Sequence, residues 1–184
     1  MTKTFTSPRR AVAPRKLSGP VQAVDPDAIE VRPVRRADLD QVIAIDATVT
    51  GQEKRLYWQR VYRRYGVHSA GEVRQFLVAL RANAVLGFLI GEVRDWEFGS
   101  PPCGWVFAID VAPEARQAGV GTLLLEALVV AFRRAGVRKL RTLLSRDNIV
   151  ILSFFRSQGM MAGPLIPLEM DLGSPSVASR GTTR

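Results

Sequence analysis

The chain has 184 residues and a mass of 20.3 kDa, room for one ordinary domain and too little for two full-sized ones. Hydrophobic residues make up 47% and charged residues 23%, a core-forming composition that excludes disorder over most of the length. The net charge of +9 is uneven: residues 1–27 carry +3 and residues 173–184 carry +2, so the middle keeps only +4, a weak argument for nucleic acid as a partner.

One cysteine (Cys103) and one histidine (His68) exclude an intrachain disulfide, a thiolate cluster and the usual multi-histidine metal sites, so no metal is expected. Cysteine poverty and the lack of an apolar leader or membrane-length run suggest a cytoplasmic protein with no membrane partner. Residues 1–27 read as a flexible basic tail interrupted by Pro8, Pro14 and Pro20, residues 28–172 as one domain, and residues 173–184 as a flexible polar tail.

In chain order, Ile29 to Arg32 alternate as a strand closed by Pro33. Asp38 is placed to cap a helix carrying Leu39, Val42, Ile43 and Ile45 inward. A second helix is expected over about 52–65, where Tyr57, Trp58 and Tyr62 read as core rather than as an acceptor pocket. Residues 75–81 and 85–94 read as a hairpin turning at Asn83, and residues 105–111 as a strand stopped by Pro113. The clearest helix spans 119–135: Val120, Leu124, Leu128 and Phe132 recur at helical spacing, and Gly136 supplies the stop. Residues 139–144 follow as a strand. Asp147 or Asn148 opens a short helix ending at Gly159, and residues 165–172 alternate as a final strand. Strands interspersed with helices and including hairpins indicate an α/β fold on a mixed sheet.

The stretch that carries chemistry runs from Ile109 and Val111 through Arg116, Gln117, Ala118, Gly119, Val120, Gly121 and Thr122. A strand ends, a loop with two glycines turns, and a long helix begins. Such a turn aims backbone N–H groups at one spot beside the positive end of a helix dipole, which suits a phosphate or pyrophosphate. No Lys follows Gly121, so it is not a Walker loop, and Leu124 stands where a dinucleotide fingerprint needs its third glycine. What remains, Arg-x-x-Gly-x-Gly after Val-x-Pro, resembles the acetyl-CoA-binding motif of the GNAT (GCN5-related) N-acetyltransferases. The resemblance covers about residues 29–172 in element order and is most specific over 109–125.

The stretch from Asn148 to Met160 is similar to the helix in which that family places an asparagine for the pantetheine arm. A plain helix N-cap explains Asn148 nearly as well. Phe155 stands where the family frequently has the tyrosine that protonates the departing thiolate, which leaves a side-chain acid in doubt but not cofactor binding.

The resemblance implies a mostly antiparallel sheet with a V-shaped splay. It also implies acetyl-CoA as co-substrate and direct attack by an amine acceptor, from a small molecule or a protein, in a ternary complex. Val111 would give the oxyanion a backbone N–H. For the base, Glu92 is preferred, since it follows Phe88 and Ile90 at period two, and Asp110 comes second. The competing reading is a non-catalytic acetyl-CoA-binding or regulatory module. Exposed sheet edges or the final strand offer a route to a homodimer.

Overall fold

The computed structural model describes residues 28–67 and 73–172; both expected tails and His68 lie outside the described residues. Strands β1 (Glu30–Pro33), β2 (Arg74–Arg81), β3 (Ala84–Arg94), β4 (Cys103–Val111) and β5 (Leu140–Thr142) form one sheet in that order. The first four strands are antiparallel, and β5 is parallel to β4. Helices α1 (Leu39–Thr50), α2 (Arg55–Tyr65), α3 (Val120–Arg134) and α4 (Ile149–Ser157) flank the sheet. The mixed α/β architecture expected from the sequence is the one observed.

A parallel pair needs a crossover, and α3 supplies it between β4 and β5. Its apolar stripe lies on the face where β3 and β4 carry glycine. A Cβ on Gly91 would come 3.1 Å from Leu128, and one on Gly104 would collide with the Phe132 ring. The opposite face belongs to α1 and α2. There the Trp58 ring meets Phe88 edge-on, with centroids 5.0 Å apart, and also contacts Phe76. Val42, Ile43 and Ile45 of α1 are buried as expected.

Three features of the pairing shape the sheet. Ala79 pairs with Gly87 but the adjacent Leu80 pairs with Val85, which leaves Leu86 of β3 as the extra residue of a β-bulge. The β2–β3 hairpin turns on Ala82 and Asn83, both left-handed with φ of 46° and 69°, as a two-residue turn that follows strand twist requires. In β4, Ile90 pairs with Ala108 but the adjacent Gly91 pairs with Val106, which leaves Phe107 as the extra residue of a β-bulge.

Several expectations need correction. The final strand over 165–172 does not form: the segment pairs with no strand, and Ile166, Leu168, Met170 and Leu172 are exposed. Pro164 and Pro167 lack the N–H a ladder needs, and β5 is three residues long rather than the expected six, a short edge on which to add. Asp38 does not cap α1 with its side chain. It has helical backbone angles, and its carboxylate turns back to accept from the Arg35 N–H at 2.6 Å and from both Arg32 guanidinium nitrogens at 2.7 and 2.9 Å. The second helix starts at Arg55, because Gly51 ends α1 in a left-handed conformation and residues 52–54 connect the two. Of its aromatics only Trp58 is fully core; Tyr62 is half-buried and Tyr57 is exposed.

Candidate active site

Strand β5 follows β4 only from Gly104 to Val106. Beyond that point β4 continues to Val111 along β3 alone, so the sheet opens on one side. The Ala112 N–H donates to Leu86 O of β3 at 2.9 Å. Strand alternation then turns the N–H and C=O groups of Ile109 and Val111 to the other edge, where β5 no longer reaches. Val111 O accepts from Arg116 Nε at 3.3 Å.

The loop after this edge is built around two left-handed residues, Gln117 (φ 65°) and Gly119 (φ 78°). Gly119 is the N-cap of α3, and no side chain caps the helix. The N–H groups of its first turn therefore have no helical acceptor and point out with the positive end of the dipole. A Cβ at Gly119 would meet nothing within 4 Å, so the space in front of the loop is open. Gly121 has a different reason to be glycine, because a Cβ there would press on the Phe154 ring at 3.1 Å. The start of α3 is also tied to α4 by Gln158 Nε2, which donates to Thr122 Oγ1 at 3.3 Å. A nest of N–H groups beside an open strand edge fits a pyrophosphate with an extended amide arm.

Asn148 is the N-cap of α4, its Oδ1 accepting from the Ile151 N–H at 3.2 Å. Phe155 is buried and lines a cavity of about 460 Å³ with Trp105, Leu140, Leu144 and Leu152. Phe154 packs against it edge-on, with centroids 5.1 Å apart.

The two candidate bases share the α1/α2 face of the sheet but stand in different surroundings. Glu92 pairs with Trp105 at the far end of β3. Its buried carboxylate meets Arg94 at 2.9 Å and Arg64 and Arg74 at 3.6 Å. Burial and the neighbouring Glu92 charge push the Tyr65 phenol upward. Three guanidiniums occupy the carboxylate that was expected to receive a proton.

Asp110 pairs with Phe88 beside the open edge. Burial pushes its carboxyl up to about 6; the nearby Asp46 charge adds to this, and Lys54 and Arg116 oppose it. Asp46 was not singled out from the sequence. Its position, three and four residues after Ile43 and Val42 on the inward stripe of α1, is the signal that marks an acid destined for burial.

Residues 39–160 match the model of the acetyltransferase (GNAT) family, and the chain belongs to that family. Solved structures share the fold at low identity. An aminoglycoside N-acetyltransferase solved with CoA superposes with a TM-score of 0.69 and 16% identity, over 82% of this chain and 99% of its own. A 6′-N-acetyltransferase for aminoglycoside antibiotics from Acinetobacter baumannii gives 0.65 and 16%, over 79% of this chain and 100% of its own. A transcriptional regulator from Bacillus halodurans C-125 gives 0.67 and 14%, also over 79% and 100%. At this distance the likeness is one of fold. No curated protein sequence matches. Among the described residues, no helix is long and apolar enough to cross a membrane.

Proposed function

We propose that the protein is an acetyl-CoA-dependent N-acetyltransferase that accepts an amine directly, without a covalent enzyme intermediate. The observation that carries this reading is the open edge of β4 at Ile109 and Val111 leading straight into the uncapped, left-handed loop at the start of α3. In this reading Arg116 and the amides of residues 117–122 hold the pyrophosphate. The backbone of Ile109 and Val111 pairs with the pantetheine arm, and the Asn148 amide reaches the same arm while its Oδ1 keeps the cap.

Bound acetyl-CoA supplies the thioester carbonyl that the amine attacks. Asp110 takes the proton from the acceptor's ammonium, since a protonated amine has no lone pair to give. We place the base here rather than at Glu92, whose oxygens are already paired with Arg64, Arg74 and Arg94. The Val111 N–H receives the negative charge that develops on the carbonyl oxygen, and a donor fixed on a strand needs no rearrangement as that charge grows. The new C–N bond forms as the C–S bond breaks, the attacking nitrogen releases its remaining surplus proton to solvent, and the thiolate takes a proton from solvent. Phe155 has no proton to give. With a thiol pKa near 8.5 the thiolate is a tolerable leaving group without an acid, whose help would be about 10²-fold.

Phe155 also favours a second reading, a module that binds acetyl-CoA without turning it over. A single experiment separates the two. Acetyl-CoA at about one hundred times its dissociation constant should stabilise the protein by about 2.7 kcal/mol, and a panel of amines should then release free thiol. Stabilisation without thiol release across the panel supports the non-catalytic reading; no stabilisation removes both.

A further inference from the structure

Asp46 is 4% exposed, and its carboxylate is held at both oxygens. Trp58 Nε1 donates to Oδ2 at 2.8 Å and Lys54 Nζ to Oδ1 at 2.9 Å. Burying a charge is costly unless it is paired, and a hydrophobic residue would fill this α1 position more cheaply. The pair also sits at a particular place. Trp58 stacks edge-on against Phe88 at 5.0 Å, and Phe88 is the direct cross-strand neighbour of Asp110. A buried anion and its tethered cation are thus fixed on the sheet face that Asp110 presents to the acceptor.

We propose that Asp46 is a positioning residue for the reaction: clamped by Trp58 and Lys54, its charge sets the electrostatic environment in which Asp110 receives the acceptor's proton. The inference rests on the reading of Asp110 as the base. The charges that act on Asp110 come from Asp46 on α1, Lys54 in the segment before α2, and Arg116 in the loop after β4. From β3 it faces the apolar Phe88. Asp46 opposes ionisation of Asp110, and Lys54 and Arg116 favour it. The pair therefore acts as two opposed levers on one carboxyl group. Burial, with the Asp46 charge adding to it, pushes the Asp110 carboxyl up to about 6, where a base is both substantially ionised near neutral pH and strong enough to accept a proton.

The two levers give a test that structural damage cannot mimic. In the full-length protein with ¹³C-labelled aspartate, Asp110 is assigned by its absence in Asp110→Asn and titrated by NMR. Asp46→Asn should lower its midpoint by about one pH unit, because the opposing charge is gone and Lys54 is left unpaired. Lys54→Met should raise it by about half a unit. Trp58 remains in both variants, so near-identical spectra elsewhere report an intact fold. The acidic limb of the pH–rate profile should move with the midpoint in each case. Midpoints that move together, or not at all, overturn the inference whatever the activity. Midpoints that move oppositely while the rate limb stays still overturn Asp110 as the base and, with it, Asp46 as its positioning residue.

Discussion

Asp110, the proposed base, makes folding stability depend on pH. Its folded pKa, about 6, lies above the ordinary aspartate value of 3.8, so the folded protein holds this proton more tightly than the unfolded chain. The associated stability is fully present below about pH 4 and is lost as pH rises through about 6. Above that range the penalty is at most about 3 kcal/mol. Asp110→Asn should therefore raise the melting temperature at pH 7.5, leave it nearly unchanged at pH 4, and abolish thiol release; equal shifts at both pH values would contradict this account. Gly119 calls for a different kind of variant. Its φ of 78° strains a β-branched side chain whatever the ligand needs, whereas Asn and Asp both tolerate the left-handed region. Gly119→Asp and Gly119→Asn should melt alike, but the Asp variant should bind CoA at least about tenfold more weakly, from charge alone. Calorimetry of the pair checks this.

Among the elements, those whose burial follows a simple period were legible in the sequence. Helix α3 shows its stripe from Val120 to Phe132, and β2 and β3 show their apolar runs and turn. What escaped was decided by side-chain partners that no local period marks. Asp38 reads as a cap until Arg32 claims its carboxylate. The alternation of residues 165–172 reads as a strand, but a strand needs a neighbour. Glu92 was correctly expected to face inward with Phe88 and Ile90; that Arg64 and Arg74 would meet it from other elements has no local signature. In the candidate site, the glycine loop between β4 and α3 was legible as a strand-to-helix turn because its glycines and its place between the two elements are local. The Asp46–Lys54–Trp58 clamp spans two elements and was not. The hairpin supplies a prediction at this scale. Ala82 pays for a left-handed φ of 46°, so Ala82→Gly should stabilise the protein by about 0.5–1 kcal/mol in urea unfolding.

At the scale of the whole molecule, the spacing between the sheet and α3 depends on positions without side chains. Gly104 sits under Phe132 with no room for a methyl group. Gly104→Ala should cost about 1–3 kcal/mol, measured by chemical unfolding. Adding Phe132→Leu should recover part of it, a coupling expected only if the two touch. If the double variant is no better than the single one, the loss has its origin in the strand backbone and not in layer spacing.

The extra residue at Phe107 reverses the parity of β4. Before it, the even-numbered amides, that of Gly104 among them, serve β5; after it, the odd-numbered amides of Ile109 and Val111 address the open edge. The side chains change phase as well. Trp105 and Asp110 are an odd number of positions apart, yet both share the face that Glu92 and Phe88 occupy across the strand pair. Were the same sequence to run on as a regular strand, the amides of Ile109 and Val111 would turn towards β3 and the Asp110 carboxylate would turn away from α1. One unpaired residue lets a single strand carry β5 at one end and, five residues on, turn backbone donors to the open edge and a carboxylate to the α1 face.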